Sequence, residues 1–411
     1  MPPFSPFAGV RYDTSDASLA DLTAPPYDVV DDALRARLAE RHPHNAVHID
    51  LPIDDPDGTD RYAVASQLLR RWLDEGVLVV EAAEVFYGYR MSFTDAAGRH
   101  RHTTGALGAL ELSRPDEGQI LPHEFTTPKA KSDRLQMLRS CRANLSCIWG
   151  LTQAPITALI GAPGPDDPVW VDDDGTEHAL WVIDDADTVT ALSAAVASRP
   201  LVIADGHHRY ETSLAYRDER RAEADVDEPG SAGPAEATMA FVVELVPDEL
   251  TVWPTHRIIE GLDPSVDVAG ALAEWFEVGD EVALDAHTVD TMVDTGTLVL
   301  VTAHGARALH PRPEAFAEVR DLDTSRVDAA LVALDRVAGD SDEPSYTVRY
   351  HHDIDEVRDA VASGRAAAGI LVRPATVAAI AQTADGGERM PPKTTFFHPK
   401  PRTGPVFRLL D

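Results

Sequence analysis

The apolar positions of this 411-residue chain follow two different periods. In residues 61–75 they recur every three or four positions, which predicts an amphipathic helix. Its apolar face consists of Val64, Leu68, Leu69 and Trp72. Apolar runs at 77–80, 85–93 and 101–112 predict strands, and the turn signal Asp-Ala-Ala-Gly at 95–98 joins the last two in a hairpin. Both periods occur along the chain, so the predicted fold class is α/β, in the sense of mixed α+β.

Residues 179–223 alternate between short apolar runs and amphipathic stretches. The pattern predicts a strand at 179–183, a helix at 187–197, a strand at 201–204 and a helix at 208–223. Such alternation is typical of an α/β unit. The turn between the second strand and the second helix carries the strongest polar motif of the chain.

The length predicts more than one domain, because single hydrophobic cores stop growing at roughly 250–300 residues. The run at 221–238 is low in apolar bulk and rich in Glu, Asp, Pro, Gly and Ala, which is typical of a flexible acidic segment. We therefore predict two domains. An N-terminal α/β module covers 1–225, an acidic flexible linker or loop covers 226–238, and a C-terminal α/β module covers 239–411.

The net charge of the chain limits the kinds of molecule that it can bind. The chain has 36 basic and 69 acidic side chains, and its formal net charge is -33. A nucleic-acid-binding face needs a stripe of lysine and arginine, so we expect no nucleic-acid partner. A small basic pocket inside the acidic surface is compatible with this composition.

Lysine is scarce on this background. Only Lys129, Lys131, Lys393 and Lys400 are lysines, and the other 32 basic residues are arginine. A composition so rich in arginine suggests that lysine is kept where a compact ammonium group is needed and a planar guanidinium does not serve. Chance retention on the surface is the alternative explanation.

The cysteines and the N-terminus indicate the compartment. Cys141 and Cys147 fit no disulfide framework and no zinc-site spacing. Residues 1–10 lack the basic and apolar regions of a signal peptide, and no apolar run reaches the roughly 18 residues of a membrane span. We expect a cytoplasmic protein with no membrane partner.

The strongest motif is the sequence Asp-Gly-His-His-Arg at 205–209, directly after a predicted strand. Gly206 allows a tight turn and a close approach of a ligand, and the following helix start offers free N–H groups and the positive end of its dipole. His207, His208 and Arg209 add donors at this point, so we predict a phosphate site. Asp205 suggests a bridging Mg²⁺ or a role in orienting a substrate hydroxyl or one of the histidines. A capped helix with solvated histidines is the alternative.

Two further loops carry candidate chemistry. The stretch 119–131 contains Glu124 as a possible general base and two lysines suited to phosphate oxygens, and a helix capped by Ser132 is predicted to follow it. The predicted phosphate contacts from this stretch and the helix are Lys129, Lys131 and Arg134. The proline-rich loop at 390–401 displays the remaining lysines, Lys393 and Lys400, and can close over an anionic ligand. The alternative for the first stretch is an ordinary solvent-exposed loop. The alternative for the second is a C-terminal segment that packs its phenylalanines.

Six short motifs carry a family resemblance when taken together and in order. They are Ala-Pro-Pro-Tyr-Asp at 24–28, Pro-His-Glu at 122–124, Lys-Ser-Asp-Arg at 131–134, Ala-Asp-Gly-His-His-Arg-Tyr-Glu-Thr at 204–212, Pro-Thr-His-Arg at 254–257 and Met-Pro-Pro-Lys at 390–393. Over essentially the whole chain, the sequence resembles the family named domain of unknown function 1015. By themselves, the first and fifth motifs are explained as ordinary turns.

A second, local resemblance concerns the turn at 205–209. It is similar to the nucleotide-phosphate motif of the ParB and sulfiredoxin superfamily, which includes free serine kinases. The resemblance implies a ParB/sulfiredoxin-like strand-turn-helix phosphate site, with Gly206, His207, His208 and Arg209 on phosphate and Asp205 near Mg²⁺ or the acceptor. No matched motif supports the role given to Glu124.

These observations predict a small-molecule phosphotransferase. It would use ATP or ADP to phosphorylate a hydroxylated metabolite, with a serine-like amino acid as the first candidate. His208 and the surrounding cations would neutralise charge on the transferred group, and Glu124 or Asp205 would accept the hydroxyl proton. A metal-dependent hydrolase and a non-catalytic nucleotide-binding regulatory protein remain alternatives, and an oligomer is possible.

Overall fold

A computed structural model describes residues 2–114, 117–122, 128–224, 232–263, 265–338, 346–386, 388, 390–391 and 393–411, without the side chains of 122, 128–131, 336–338 and 384–385. Its helices are α1 Leu19–Leu22, α2 Asp32–Arg41, α3 Val47–Asp50, α4 Arg61–Asp74, α5 Pro128–Cys141, α6 Thr157–Ile160, α7 Ala186–Val196, α8 His207–Glu223, α9 Val268–Leu272, α10 Thr288–Thr295, α11 Asp323–Ala338, α12 Ile354–Ala362 and α13 Val377–Asp385.

The strands are β1 Phe4–Ser5, β2 Val10–Tyr12, β3 Leu78–Val80, β4 Phe86–Thr94, β5 His100–Glu111, β6 Ile120–Pro122, β7 Ala143–Asn144, β8 Ile148–Thr152, β9 Val169–Val171, β10 Glu177–Ile183, β11 Leu201–Asp205, β12 Ala237–Glu244, β13 Thr251–Trp253, β14 His256–Glu260, β15 Phe276–Glu281, β16 Leu298–Thr302, β17 Gly305–Pro311, β18 Thr347–His351, β19 Ala366–Leu371, β20 Phe396–His398 and β21 Arg408–Leu409. The predicted mixed α/β class is confirmed.

The larger sheet has the order β6-β11-β8-β12-β5-β4-β10-β9, and β1 pairs with β5 beside this path. Two of its pairs, β11 with β6 and β12 with β8, are parallel, and the others are antiparallel. Alternate residues of β12 enter different cores, with Phe241 and Val243 in one and Ala240 and Val242 in the other. Apolar cores therefore cover both faces of this sheet.

The smaller sheet has the order β15-β17-β16-β19-β14-β18, and all its pairs are antiparallel. Adjacent residues of β14 again point to opposite faces. Ile259 packs with residues of α9 and α11, while Ile258 packs with residues of α10 and α12. The alternation follows from the two-residue period of a strand.

The C-terminal segment returns to the larger sheet. After α13 the chain forms β20, which pairs with β13, and then β21, which pairs with β7. The peptide bond between His398 and Pro399 is cis. This return path carries Lys400 to the end of β11 and therefore builds part of the candidate site.

The predicted linker is described only in part. Residues 225–231 lie outside the described residues, so the flexible linker predicted at 226–238 is described only from residue 232 onwards, where a short 3₁₀ turn, Gly233–Glu236, leads into β12. β12 lies in the interior of the larger sheet, and the smaller sheet begins with β14. The division into modules at 1–225 and 239–411 stays a prediction.

One predicted helix start differs from the structure. The sequence placed the N-cap at Ser132, whereas α5 begins at Pro128. Proline suits the first helical turn because its missing N–H would have no intrahelical acceptor there. Lys129 and Lys131 therefore belong to the first turn of α5 and not to a preceding loop, and their side chains lie outside the description.

Within the part of the chain that the structure describes, no helix combines the length and apolar character needed to cross a membrane. Cys141 and Cys147 are both free thiols and both buried. Burial raises the pKa of the Cys141 thiol to about 12 and that of the Cys147 thiol to about 11. Both are therefore uncharged near pH 7, and their role is packing.

Candidate functional site

The predicted strand-turn-helix is present at the junction of β11 and α8. Gly206 adopts a left-handed conformation with φ of 88°, and its carbonyl accepts the first helical hydrogen bond, from Tyr210 N at 2.9 Å. A Cβ atom at this position would lie 3.0 Å from Arg209 Nε and 3.1 Å from the Cα of Ile148. Both the backbone conformation and the close packing therefore require glycine.

The start of α8 carries no side-chain cap, because Gly206 occupies the N-cap position. The helix is 17 residues long, so the positive end of its dipole is fully developed at this turn. An uncapped helix start suits an anion. The geometry of the turn is thus compatible with the predicted phosphate site.

Asp205 lies between two cations. One of its carboxylate oxygens accepts from Arg209 Nη2 at 2.6 Å, and the other lies 2.9 Å from Lys400 Nζ. Lys400 also donates to Asp28 Oδ2 at 2.5 Å. Arg209 additionally donates to the carbonyl of Cys147. The result is a continuous row of four alternating charges at the end of β11.

The carboxylates and the cations of this row stabilise each other's ionised forms. Burial alone would raise the pKa of Asp205, but Lys400 and Arg209 outweigh it and hold that pKa below its usual range. Burial would lower the pKa of Lys400, but Asp205 and Asp28 outweigh it and raise that pKa. Asp205 and Lys400 are therefore both charged at neutral pH.

A second ion pair lies beside the row. Arg134 donates to the carboxylate of Asp50 at 3.1 Å and to its main-chain carbonyl at 2.9 Å. The guanidinium carbon of Arg134 stands 4.3 Å from the centre of the Tyr27 ring, in a cation–π contact. Thr403 Oγ1 donates to the other Asp50 oxygen at 3.2 Å. Asp50 is buried, which raises its pKa, although Arg134 partly offsets the rise.

These residues form what we call the charged cluster. Its six members are Asp28, Asp50, Arg134, Asp205, Arg209 and Lys400. A cavity of about 40 Å³ between α5 and α8 is lined by Asp50, Arg134 and Arg209 among others. This volume holds a water molecule or two. Three carboxylates balance three cations, so the charged cluster is neutral when all members are ionised.

The predicted site residues divide into three groups. Asp205, Gly206, Arg209 and Arg134 meet at the charged cluster or at its turn. His207 is buried beside it. His208 is half-buried, and its carbonyl accepts from Thr212 Oγ1 at 2.5 Å.

The other predicted residues lie elsewhere or outside the description. Lys393 is exposed, and its carbonyl accepts from Arg257 Nη1 at 3.2 Å, at the start of β14. Glu124 lies outside the described residues, as do the side chains of Lys129 and Lys131. The structure thus places Arg134 near the turn at 205–209, whereas Lys393 lies beside Arg257 at the start of β14.

Three members of the charged cluster were not among the predicted contact residues, although Lys400 lies in the predicted closing loop at 390–401. Lys400 had a signal, because it is one of only four lysines. Asp28 lies in the motif at 24–28, which by itself suggests an ordinary turn, and this segment does form a 3₁₀ turn at Tyr27–Val29. Asp50 is a single aspartate at the end of α3 with no distinguishing signal in the sequence.

The residues do not form a resident metal site. Among the described residues, no group of three or more His, Cys, Asp or Glu side chains is placed to hold a metal ion. Both oxygens of Asp205 already face cations. A resident Mg²⁺ bound by Asp205 is therefore a poor fit to this arrangement.

Comparison with known proteins gives a family and some distant structural likenesses. A family sequence model described as "Protein of unknown function (DUF1015)" matches residues 4–325. No curated protein matches the chain. A solved conserved hypothetical protein from Pyrococcus furiosus is 14% identical with a TM-score of 0.35, and the likeness covers 70% of this chain and 90% of that one.

Two further solved structures are similar at the same level. A free serine kinase in complex with AMP is 16% identical with a TM-score of 0.36, covering 71% of this chain and 88% of that one. A C-terminally truncated SbnI from Staphylococcus aureus is 10% identical with a TM-score of 0.37, covering 72% and 85%. At these TM-scores the likenesses assign neither a site nor an activity to this chain.

Proposed function

The chain belongs to the DUF1015 family of proteins of unknown function, and we propose that it is a small-molecule phosphotransferase. In this proposal it binds ATP or ADP at the turn formed by residues 205–209 and transfers a phosphoryl group to a hydroxylated metabolite, with a serine-like amino acid as the first candidate. Nucleotide and acceptor are the proposed partners.

One observation carries the proposal. The uncapped start of α8, at a glycine in the left-handed conformation, adjoins three cationic side chains, Arg134, Arg209 and Lys400. Helix N–H groups and a cluster of fixed cations are the elements that bind phosphate oxygens in proteins that lack a Walker loop. Metal-dependent hydrolysis has no corresponding cluster of ligands among the described residues.

The carboxylates of the charged cluster hold its cations in place before a ligand arrives. Asp205 fixes both the Arg209 guanidinium and the Lys400 ammonium. Such fixed donors stabilise a transferring phosphoryl group without reorganisation during the reaction. Because the cluster is already neutral, a nucleotide must displace a carboxylate or bring its own counter-charge. Mg²⁺ would in this case come with the nucleotide, bound mainly by phosphate oxygens.

The proposed reaction also needs a group that accepts the proton of the substrate hydroxyl. Lys400 and Arg209 hold the pKa of Asp205 low, so its carboxylate is a weak base. Asp205 therefore suits positioning of the cations better than removal of the hydroxyl proton. Glu124 stays the predicted general base.

Phosphorus NMR tests turnover directly. We expect ATP or ADP, incubated with the protein, Mg²⁺ and a panel of hydroxylated metabolites that includes L-serine, to lose its terminal phosphate as a new phosphomonoester signal appears in equal amount. His208→Ala should slow this reaction by roughly tenfold or more, since a donor at the transferred group is lost. Arg220→Ala is the control, because Arg220 lies on the same helix and pairs with Glu223 at the surface.

The other outcomes would exclude phosphotransfer. Release of inorganic phosphate without a phosphomonoester, in the presence of every acceptor tested, would indicate a hydrolase. Nucleotide binding without any change in the phosphorus signals would indicate a regulatory protein.

A further inference from the structure

A second cavity, far larger than the one at the charged cluster, lies between the two sheets. It is a cleft of about 940 Å³. One wall consists of the β4–β5 turn and residues 247–254, and the other consists of residues 284–293 around α10 with the starts of α12 and α13. We call it the inter-sheet cleft. Its volume is within the range of small-molecule sites, about 300–1,000 Å³.

Most of the side chains that face the inter-sheet cleft are apolar. They include Leu250, Val252, Val289, Val293, Ile354 and Val377. Val293 is 50% exposed, although it lies on the inner wall of a cavity. Apolar surface that lines a concave site is typical of a ligand pocket.

The charged side chains of the lining are all engaged within the protein. Arg99 bridges the two walls, because it contacts Asp95 at 2.7 Å and Asp290 at 3.2 Å. The remaining contacts are Arg101 with Asp95, Arg358 with Asp355, Asp353 with the N–H of Asp355, and Asp285 with the N–H of His287. Each arginine of the lining is thus paired with a carboxylate, and the carboxylates outnumber the arginines five to three, so the lining disfavours an anionic ligand.

Aromatic rings form one end of the lining. Trp253 and His352 both line the inter-sheet cleft, and their ring centres are 5.1 Å apart. Phe396 stacks on His352 at 4.3 Å, and His398 stacks on Trp253 at 3.6 Å, so the two rings are held in place. Burial and the neighbouring His351 lower the pKa of His352 to about 4, which keeps its ring neutral at pH 7. Fixed, uncharged aromatic rings favour contact with a planar ring.

We propose that the inter-sheet cleft is a second binding site, which takes a neutral organic molecule with a planar ring and a largely apolar body. The described lining shares no residue with the charged cluster. The proposal is independent of the proposed phosphotransfer, because it depends on a different cavity with different chemistry.

The test uses the neutral dye Nile red, titrated into the full chain and followed by its fluorescence. We expect saturable binding to the wild type, and a loss of affinity of roughly tenfold or more in Val293→Asp, because a carboxylate then enters the apolar wall. Val332→Asp is the matched control. Val332 is 51% exposed on α11 and lies outside the lining. The Val332→Asp variant should therefore bind the dye with the affinity of the wild type.

A second variant covers the case in which Val293→Asp does not fold. Ala97 lies on the β4–β5 turn and lines the cleft, so Ala97→Trp should fill part of it and weaken dye binding with little effect on the core. Equal affinity in the wild type and in the folded cleft variants would overturn the proposal. Displacement of the dye by ATP would also overturn it, because the cleft would then be part of a nucleotide site.

Discussion

Replacement of Lys400 by alanine is expected to lower the free energy of unfolding by about 3–5 kcal/mol, the usual cost of breaking a buried ion pair. Lys400 is 14% exposed and is the shared partner of Asp28 and Asp205. Without it, Asp28 loses its ion-pair partner, and Asp205 keeps only Arg209. Urea denaturation at pH 7 measures the change.

Two variants sharpen this prediction. Lys393→Ala is the matched control, since Lys393 is an exposed lysine in the same C-terminal segment, and we expect it to change stability by less than about 0.5 kcal/mol. Lys400→Arg tests whether this position needs the compact ammonium group of lysine. A planar guanidinium cannot replace a compact ammonium between two carboxylates without repacking, so we expect it to restore only part of the lost stability. Full stability in Lys400→Arg would contradict that argument.

The second large effect is expected for Arg134→Met, again about 3–5 kcal/mol at pH 7, because it leaves Asp50 buried without its cation. The two side chains are 10% and 4% exposed. Arg139→Met is the control on the same helix. Arg139 is 41% exposed and pairs with Glu219, so its loss should cost at most about 1 kcal/mol.

The pH dependence of Arg134→Met gives a second readout. Burial already raises the pKa of Asp50, and removal of Arg134 takes away the main opposing influence. The folded variant therefore holds a proton on Asp50 that the unfolded chain loses above about pH 3.9, so stability falls as the pH rises through the folded pKa. We expect the deficit relative to the wild type to shrink from pH 7 to pH 5. A deficit that does not change over this range would contradict the assigned role of Asp50.

Local sequence predicted much of the fold. The strand predicted at 201–204 and the helix predicted at 208–223 correspond to β11 and α8 with shifts of a single residue at their junction. The start of α5 was predicted five residues late, because Ser132 is a good cap by type while Pro128 acts as a first-turn residue. Helix starts depend on which of several suitable residues the tertiary structure selects.

The candidate site could be predicted only where it is local. The residues at 205–209 are consecutive, so one strand-turn-helix pattern identifies them. Lys400 and Asp28 are 372 residues apart in the sequence and meet only through the return of the C-terminal segment. No period or spacing encodes such a contact. The scarcity of lysine indicated Lys400 in the sequence, whereas Asp50 is identified only by its burial beside Arg134 in the structure.

The most direct test of the central claim is a calorimetric titration of ATP with Mg²⁺ into the wild type, Gly206→Ala and Arg220→Ala. Binding to the wild type and to Arg220→Ala is predicted, with affinity at least about tenfold weaker in Gly206→Ala, because a Cβ atom there strains the left-handed turn and crowds Arg209. Absence of binding to the wild type, or equal affinity in Gly206→Ala, would contradict a nucleotide-phosphate site at this turn.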